Sequence, residues 1–131
     1  MSTSSSDHRL RGIVLFGHGA RNPEWAEPFH RIRGVMFKRE PDAMVELGFL
    51  EAMQPTLDQA IDALVARGAT CIAIVPIFIA TGAHIAKDLP LLAAAAMDRH
   101  PHVEVTIAAP VGQAVTVIEA MADYALKPIP T

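Results

Sequence analysis

Two histidines and a glutamate are placed where side chains do chemistry. His18 lies between glycines in Gly17-His18-Gly19, Glu51 closes Gly48-Phe49-Leu50-Glu51, and His84 ends the small-residue stretch Ala80-Thr81-Gly82-Ala83-His84. Imidazole titrates near neutrality and ligates transition metals, and a nearby carboxylate can hold or take a proton. Brought together, the three can bind a metal, move protons, or do both. Each also has a plainer reading. A histidine near a strand end is often only a hydrogen-bonded structural residue, and Glu51 fits a solvated acid or one that favours a helix start. The Thr81-Gly82-Ala83 loop suits a tight connection as well as a ligand site at a helix N-terminus. The glycines beside His18 favour function, because they open the backbone to close approach.

Whether the three converge depends on the elements that carry them. Apolar runs at 13–16, 43–47, 71–78 and 103–108 alternate with amphipathic stretches at 23–39, about 55–67, about 87–99 and 112–126. Trp25, Phe29, Ile32, Met36 and Phe37 recur at helical spacing, as do Leu57, Ile61, Leu64 and Val65 before the stop at Gly68. The run at 71–78 is apolar on both faces, as in a central parallel strand. The pattern predicts a three-layer α/β/α domain with four parallel strands and flavodoxin-like connectivity. Order 2-1-3-4 places a switch point between the first and third strands. Ligands in such sheets bind beyond the carboxyl ends of the strands. His18 follows the first strand, Glu51 the second and His84 the third, so all three share that edge.

The other histidines are weaker candidates. His100-Pro101-His102 has the spacing of a metal clip, but it precedes the fourth strand at the opposite edge and reads as a solvated turn. His30 lies within the first helix, facing either core or water, and His8 belongs to a polar, serine-rich leader.

Composition narrows the function further. The 131 residues suit one domain, placed at 11–126, between a disordered leader at 1–10 and a tail at 127–131 that Lys127-Pro128-Ile129-Pro130 keeps from helix. Only 5% of residues are aromatic and the formal charge is −3, which argues against nucleic acid. The leader lacks the apolar stretch of a secretory signal, and no apolar window is long enough to predict a membrane span. The single cysteine, Cys71, excludes an internal disulfide, suits a reducing cytoplasm and reads as an inert core thiol. Serine occurs only at Ser2, Ser4, Ser5 and Ser6, so a nucleophile elbow is excluded. Nucleotide-binding glycine fingerprints are missing after the first strand. A phosphoacceptor receiver would carry acids where this chain has Phe16-Gly17-His18.

Taken in order, Gly17-His18-Gly19-Ala20-Arg21, Phe49-Leu50-Glu51, Pro76-Ile77-Phe78, Gly82-Ala83-His84 and Lys87-Asp88-Leu89-Pro90 resemble the small sirohydrochlorin cobaltochelatases, the CbiX type of class II chelatase. The resemblance spans residues 11–126. It implies that this chain is one chelatase half, that a homodimer builds the cleft, and that Co²⁺ enters a sirohydrochlorin-type tetrapyrrole. It assigns metal binding and pyrrole deprotonation to His18 and His84, with Glu51 assisting. The metal is then a substrate, with no tightly bound cofactor. Related members insert iron or nickel, and nitrogen ligands do not choose among these ions. The macrocycle carries many carboxylates while the chain is net acidic, so Arg21 and Lys87 are the candidate steering cations, with Gly82 at the substrate. Two features depart from the family pattern: Ala20 stands where serine is usual, and the histidine-rich tail of some members is missing. A non-catalytic metal or tetrapyrrole carrier, or a flavodoxin-like regulatory domain with incidental histidines, remains the alternative.

Overall fold

The structure, a computed structural model, describes residues 10–129. The leader expected at 1–10 lies outside the described residues except for Leu10, as do Pro130 and Thr131 of the tail. Strands β1 (Arg11–Gly17), β2 (Met44–Phe49), β3 (Cys71–Pro76) and β4 (Glu104–Ile107) form one parallel sheet in the order β2-β1-β3-β4. Helices α1 (Glu27–Arg39), α2 (Leu57–Ala66), α3 (Ala83–Arg99) and α4 (Val115–Leu126) follow the strands in turn. Short 3₁₀ turns at Pro23–Ala26 and Val111–Gln113 lead into α1 and α4. Fold class and strand order are those the periodicity predicts.

Period-two alternation decides what each sheet face buries. Val14, Phe16, Ile72, Ile74 and Val105 pack under α2 and α3, against Leu57, Ala60, Ile61 and Leu64 of one and Leu89, Ala93 and Ala96 of the other. The opposite face holds Leu15, Val45, Leu47 and Phe49 with Ala26 and Phe29. There the Phe29 ring lies 5.2 Å from Trp25 and 5.3 Å from Phe49. β1 feeds both cores, which is why its sequence is continuously apolar.

Local chemistry sets the helix ends. Thr56 accepts from the Gln59 amide at 3.1 Å while Gln59 Oε1 accepts from the Thr56 amide at 2.9 Å, a reciprocal cap that starts α2. α3 begins at Ala83, earlier than the expected Lys87, so His84 sits in its first turn instead of a loop. Pro90, expected near the helix start, falls inside it and cannot donate to the Ala86 carbonyl. Both residues are exposed, so water can take that place.

The α1 side of the sheet is only half covered. Eleven of the twelve residues of α4 are exposed and none is buried. Cys71, expected in the core, faces this side and is only partly buried, its thiol 3.7 Å from the Leu10 carbonyl. Among the described residues, no helix is long and apolar enough to cross a membrane.

At the amino edge of the sheet a polar cluster ties α3 to α2. Asp62 Oδ1 lies 2.8 Å from His100 Nε2 and 2.9 Å from Arg99 Nη2, and Asp58 Oδ1 lies 3.4 Å from Arg99 Nη1. His100, expected to be solvated, is only 21% exposed because this contact holds it. The hydrogen bond from His100, then that from Arg99, lowers the Asp62 pKa below its ordinary value. A lowered carboxylate pKa adds stability above the ordinary carboxylate range, lost as pH falls through the lowered value. Asp62→Asn should therefore flatten the fall in Tm below about pH 4. Because Asp62 is half-exposed, it should cost no more than about 1 kcal/mol at neutral pH. Thermal melts of both proteins from acid to neutral pH measure this, and parallel curves would remove the cluster from the acid response.

Candidate functional site

The β1–β2 pairing continues beyond the strands themselves. The Leu50 amide donates to the Gly17 carbonyl at 3.0 Å, and the Glu51 amide donates to the His18 carbonyl at 3.1 Å. His18 and Glu51 thus leave the sheet as neighbours. Their side chains meet, with His18 Nε2 3.4 Å from Glu51 Oε2. That is within ion-pair reach but longer than a tight hydrogen bond. Gly19 makes the approach possible: its φ is +99°, and a Cβ there would stand 1.8 Å from the Glu51 carbonyl oxygen. Only glycine fits this position.

His84 reaches the same place from the third loop. Gly82 caps α3 with extended backbone, and the chain turns into helix so that His84 occupies the second helical position. His18, Phe78, Ala80, Gly82, Ala83, His84 and Ile85 together line a hollow of about 410 Å³ at the carboxyl edge of the sheet. A second hollow of about 380 Å³, sharing Ala80, lies between the start of α3 and the loop after β4. Its lining has no titratable side chain, so of the two only the first offers groups suited to acid–base or metal chemistry.

The structure therefore brings His18, Glu51, His84 and Gly82 together. It does not bring Arg21 and Lys87 into the hollow. Both are exposed, Arg21 three residues beyond His18 and Lys87 one helical turn beyond His84. Among the described residues, no group of three or more His, Cys, Asp or Glu is arranged to hold a metal ion by itself. Two imidazoles on an open hollow with one carboxylate behind can ligate a cation on one side and leave its other side free.

Sequence reasoning gave no role to two residues that shape this site. Phe78 and Ile85 supply its apolar wall. Their signal was an aromatic closing the apolar run at 71–78, which the structure places two residues beyond the end of β3, and an apolar residue directly after His84. Gly112 sets the loop below: its amide donates to the Phe78 carbonyl at 2.9 Å, and a Cβ there would lie 2.1 Å from the Ile79 carbonyl oxygen. Nothing local in the sequence marks that long-range approach.

A family model described as CbiX matches residues 12–126. The chain belongs to the CbiX family. Two relatives named sirohydrochlorin cobaltochelatase illustrate the range. That of Methanosarcina acetivorans is 40% identical over 60% of this chain and 61% of its own length. That of Saccharolobus solfataricus is 36% identical over 79% of this chain and 84% of its own. The match to the Methanosarcina protein thus spans less than two thirds of that relative. Among solved structures, one described as a cobalamin-biosynthesis CbiX protein from Marinobacter aquaeolei superposes with a TM-score of 0.77 at 25% identity, covering 88% of this chain and 93% of that one. The sirohydrochlorin chelatase SirB of Bacillus subtilis subspecies spizizenii, solved in complex with cobalt, gives 0.68 at 32% identity, covering 86% of this chain but 48% of its own. SirB from Bacillus subtilis with Fe³⁺ gives 0.74 at 27% identity, with coverage of 90% and 48%.

Gly19→Ala tests the contact between the first two loops. The strained φ and the clash with the Glu51 carbonyl should lower stability by about 1–3 kcal/mol. They should also push Glu51 away from the His18 ring. Denaturant unfolding and the NMR chemical shifts of the His18 ring read the two effects, and an unchanged variant would mean the loops do not touch.

Proposed function

We propose that this chain inserts Co²⁺ into a sirohydrochlorin-type tetrapyrrole, with His18 and His84 at the reacting centre. The observation that carries the reading is that both imidazoles line one hollow at the carboxyl edge of the sheet. The names of the relatives supply the substrate and the metal.

Insertion replaces two pyrrole N–H protons by one divalent cation and strips that cation of water. Neutral imidazole suits both parts, as a nitrogen ligand for the incoming ion and as an acceptor for a departing proton. Glu51, 3.4 Å from His18 Nε2, orients that ring. A site with few protein ligands hands the ion on, whereas a closed four-ligand cage would keep it. The ring packs on the apolar wall of Phe78 and Ile85, with Gly82 allowing close approach. Arg21 and Lys87 meet its carboxylates from the rim. The metal is a substrate here, and no tightly bound cofactor takes part.

The rest of the proposal concerns assembly and place. A hollow of 410 Å³ lies at the small end of ligand pockets, roughly 300–1,000 Å³, and a carboxylate-bearing macrocycle overfills it. Residues 11–126 act as one chelatase half, and two copies build the full cleft. The setting is the cytoplasm, where a free thiol such as Cys71 stays reduced. A second reading, iron insertion, is favoured by the SirB structure that holds Fe³⁺.

His84→Ala should reduce insertion by about 10²-fold or more while leaving circular dichroism unchanged. Near-normal turnover would remove His84 from the mechanism. The macrocycle's absorption spectrum, followed with Co²⁺, Fe²⁺ and Ni²⁺ side by side, should show Co²⁺ fastest. A faster reaction with Fe²⁺ would favour the second reading, and no rate above the spontaneous one with any ion would make the chain a carrier.

A further inference from the structure

The loop that carries Glu51 is pinned at both ends. Where it leaves β2, the Leu50 and Glu51 amides donate to the Gly17 and His18 carbonyls. Where it returns to α2, the Phe49 amide donates to the Pro55 carbonyl at 2.9 Å, and Phe49 bridges to Thr56. The reciprocal cap of Thr56 and Gln59 then fixes the first turn of α2. The chain must therefore double back within residues 50–55. Ala52 lies in the middle of that reversal, with φ at +68°. Among the described residues it is the single non-glycine residue in the left-handed region.

An L-residue with a β-carbon is strained there, because its Cβ comes too close to the carbonyl oxygen that follows. Such strain persists only where the surroundings over-determine it, and the hydrogen bonds at both ends of this loop do so. Packing does not explain the alanine, since its side chain is exposed. Glycine would make the same turn without strain, as Gly19 does on the facing loop. What the methyl group adds is restriction: it leaves one small left-handed basin where glycine has a wide one. The preceding residue is the one affected. The His18 carbonyl holds the Glu51 amide, and the Glu51 carbonyl lies against Gly19 with no room for a Cβ between them. Ala52 closes the remaining side. The side-chain pair cannot supply this hold itself, because His18 and Glu51 are half-exposed and water screens their attraction.

We propose that Ala52 is a positioning residue: its methyl group confines the loop to the one backbone conformation that keeps the Glu51 carboxylate at the His18 ring. It acts through Glu51 alone and touches neither metal nor macrocycle. Strain of this kind is part of how a site is pre-organised, and it lowers the stability of the loop that bears it. The consequence for turnover rests on the reading that His18 and Glu51 serve metal insertion. The placement of Glu51 does not.

Ala52→Gly in the full-length chain provides the test. Relief of strain should leave its Tm equal to or above that of the wild type. The NMR shifts of the His18 ring, read without metal or macrocycle, should nevertheless move toward those of Glu51→Gln. With Co²⁺ and sirohydrochlorin, kcat should fall about 10-fold, the scale of a small misplacement, while KM for the macrocycle stays unchanged. Ala52→Asn keeps a β-carbon and tolerates left-handed backbone, so it should retain wild-type shifts and kcat. In a Glu51→Gln background, Ala52→Gly should lower kcat no further, because the two residues act in series. Unmoved His18 shifts in Ala52→Gly overturn the proposal. A joint fall in Tm and kcat does so too, as the mark of a purely structural turn, and so does a further loss of comparable size in the Glu51→Gln background. A wild type that inserts no metal sinks the function reading instead, and the His18 shifts still decide whether Ala52 places Glu51.

Discussion

Three loops meet at one edge because every strand of the sheet runs the same way. In a parallel sheet each strand must be followed by a crossover, so all strands release their chains at the same rim. β1 pairs with β2 on one side and β3 on the other, and these two are the neighbours whose loops carry Glu51 and His84. Its own loop, carrying His18, lies between them. The hydrogen bonds that extend the β1–β2 ladder to His18 and Glu51 turn this rough proximity into a contact of 3.4 Å. A one-residue slip in that ladder would reverse every side chain and separate the pair.

That constraint also explains what could be read from the chain. Strand order and site edge were legible because β1 and β3 are apolar on both faces and therefore central, which leaves few ways to thread the chain. His18 was legible through its flanking glycines, and α2 through its apolar spacing and Gly68. The start of α3 was not, because Pro90 resembles a first-turn proline and the four residues ahead of Lys87 resemble a loop. His100 was misread for a related reason. Its partner Asp62 is distant in sequence, and only the packing of α3 on α2 brings the two to 2.8 Å. Gly112 and the walls of the hollow depend on tertiary approach and leave no local pattern.

The covering of the sheet is uneven. One face holds a continuous core under α2 and α3, and the other is closed only over β1 and β2. The sequence gives no warning of this, since α4 has the helical apolar spacing of a packed element. Periodicity reports that a face wants burial, and it is silent about whose surface buries it.

The ring of His18 and the carboxyl group of Glu51 are 50% and 65% exposed. Water screens such a pair, and exposed ion pairs are worth only about 0–1 kcal/mol. Parting them is therefore nearly free. In the proposed insertion, an arriving cation draws the imidazole away from its acid without a rearrangement of the core, and the acid reclaims it once the ion has gone. Low affinity within the resting pair thus leaves the loop, under that proposal, reusable from one cycle to the next.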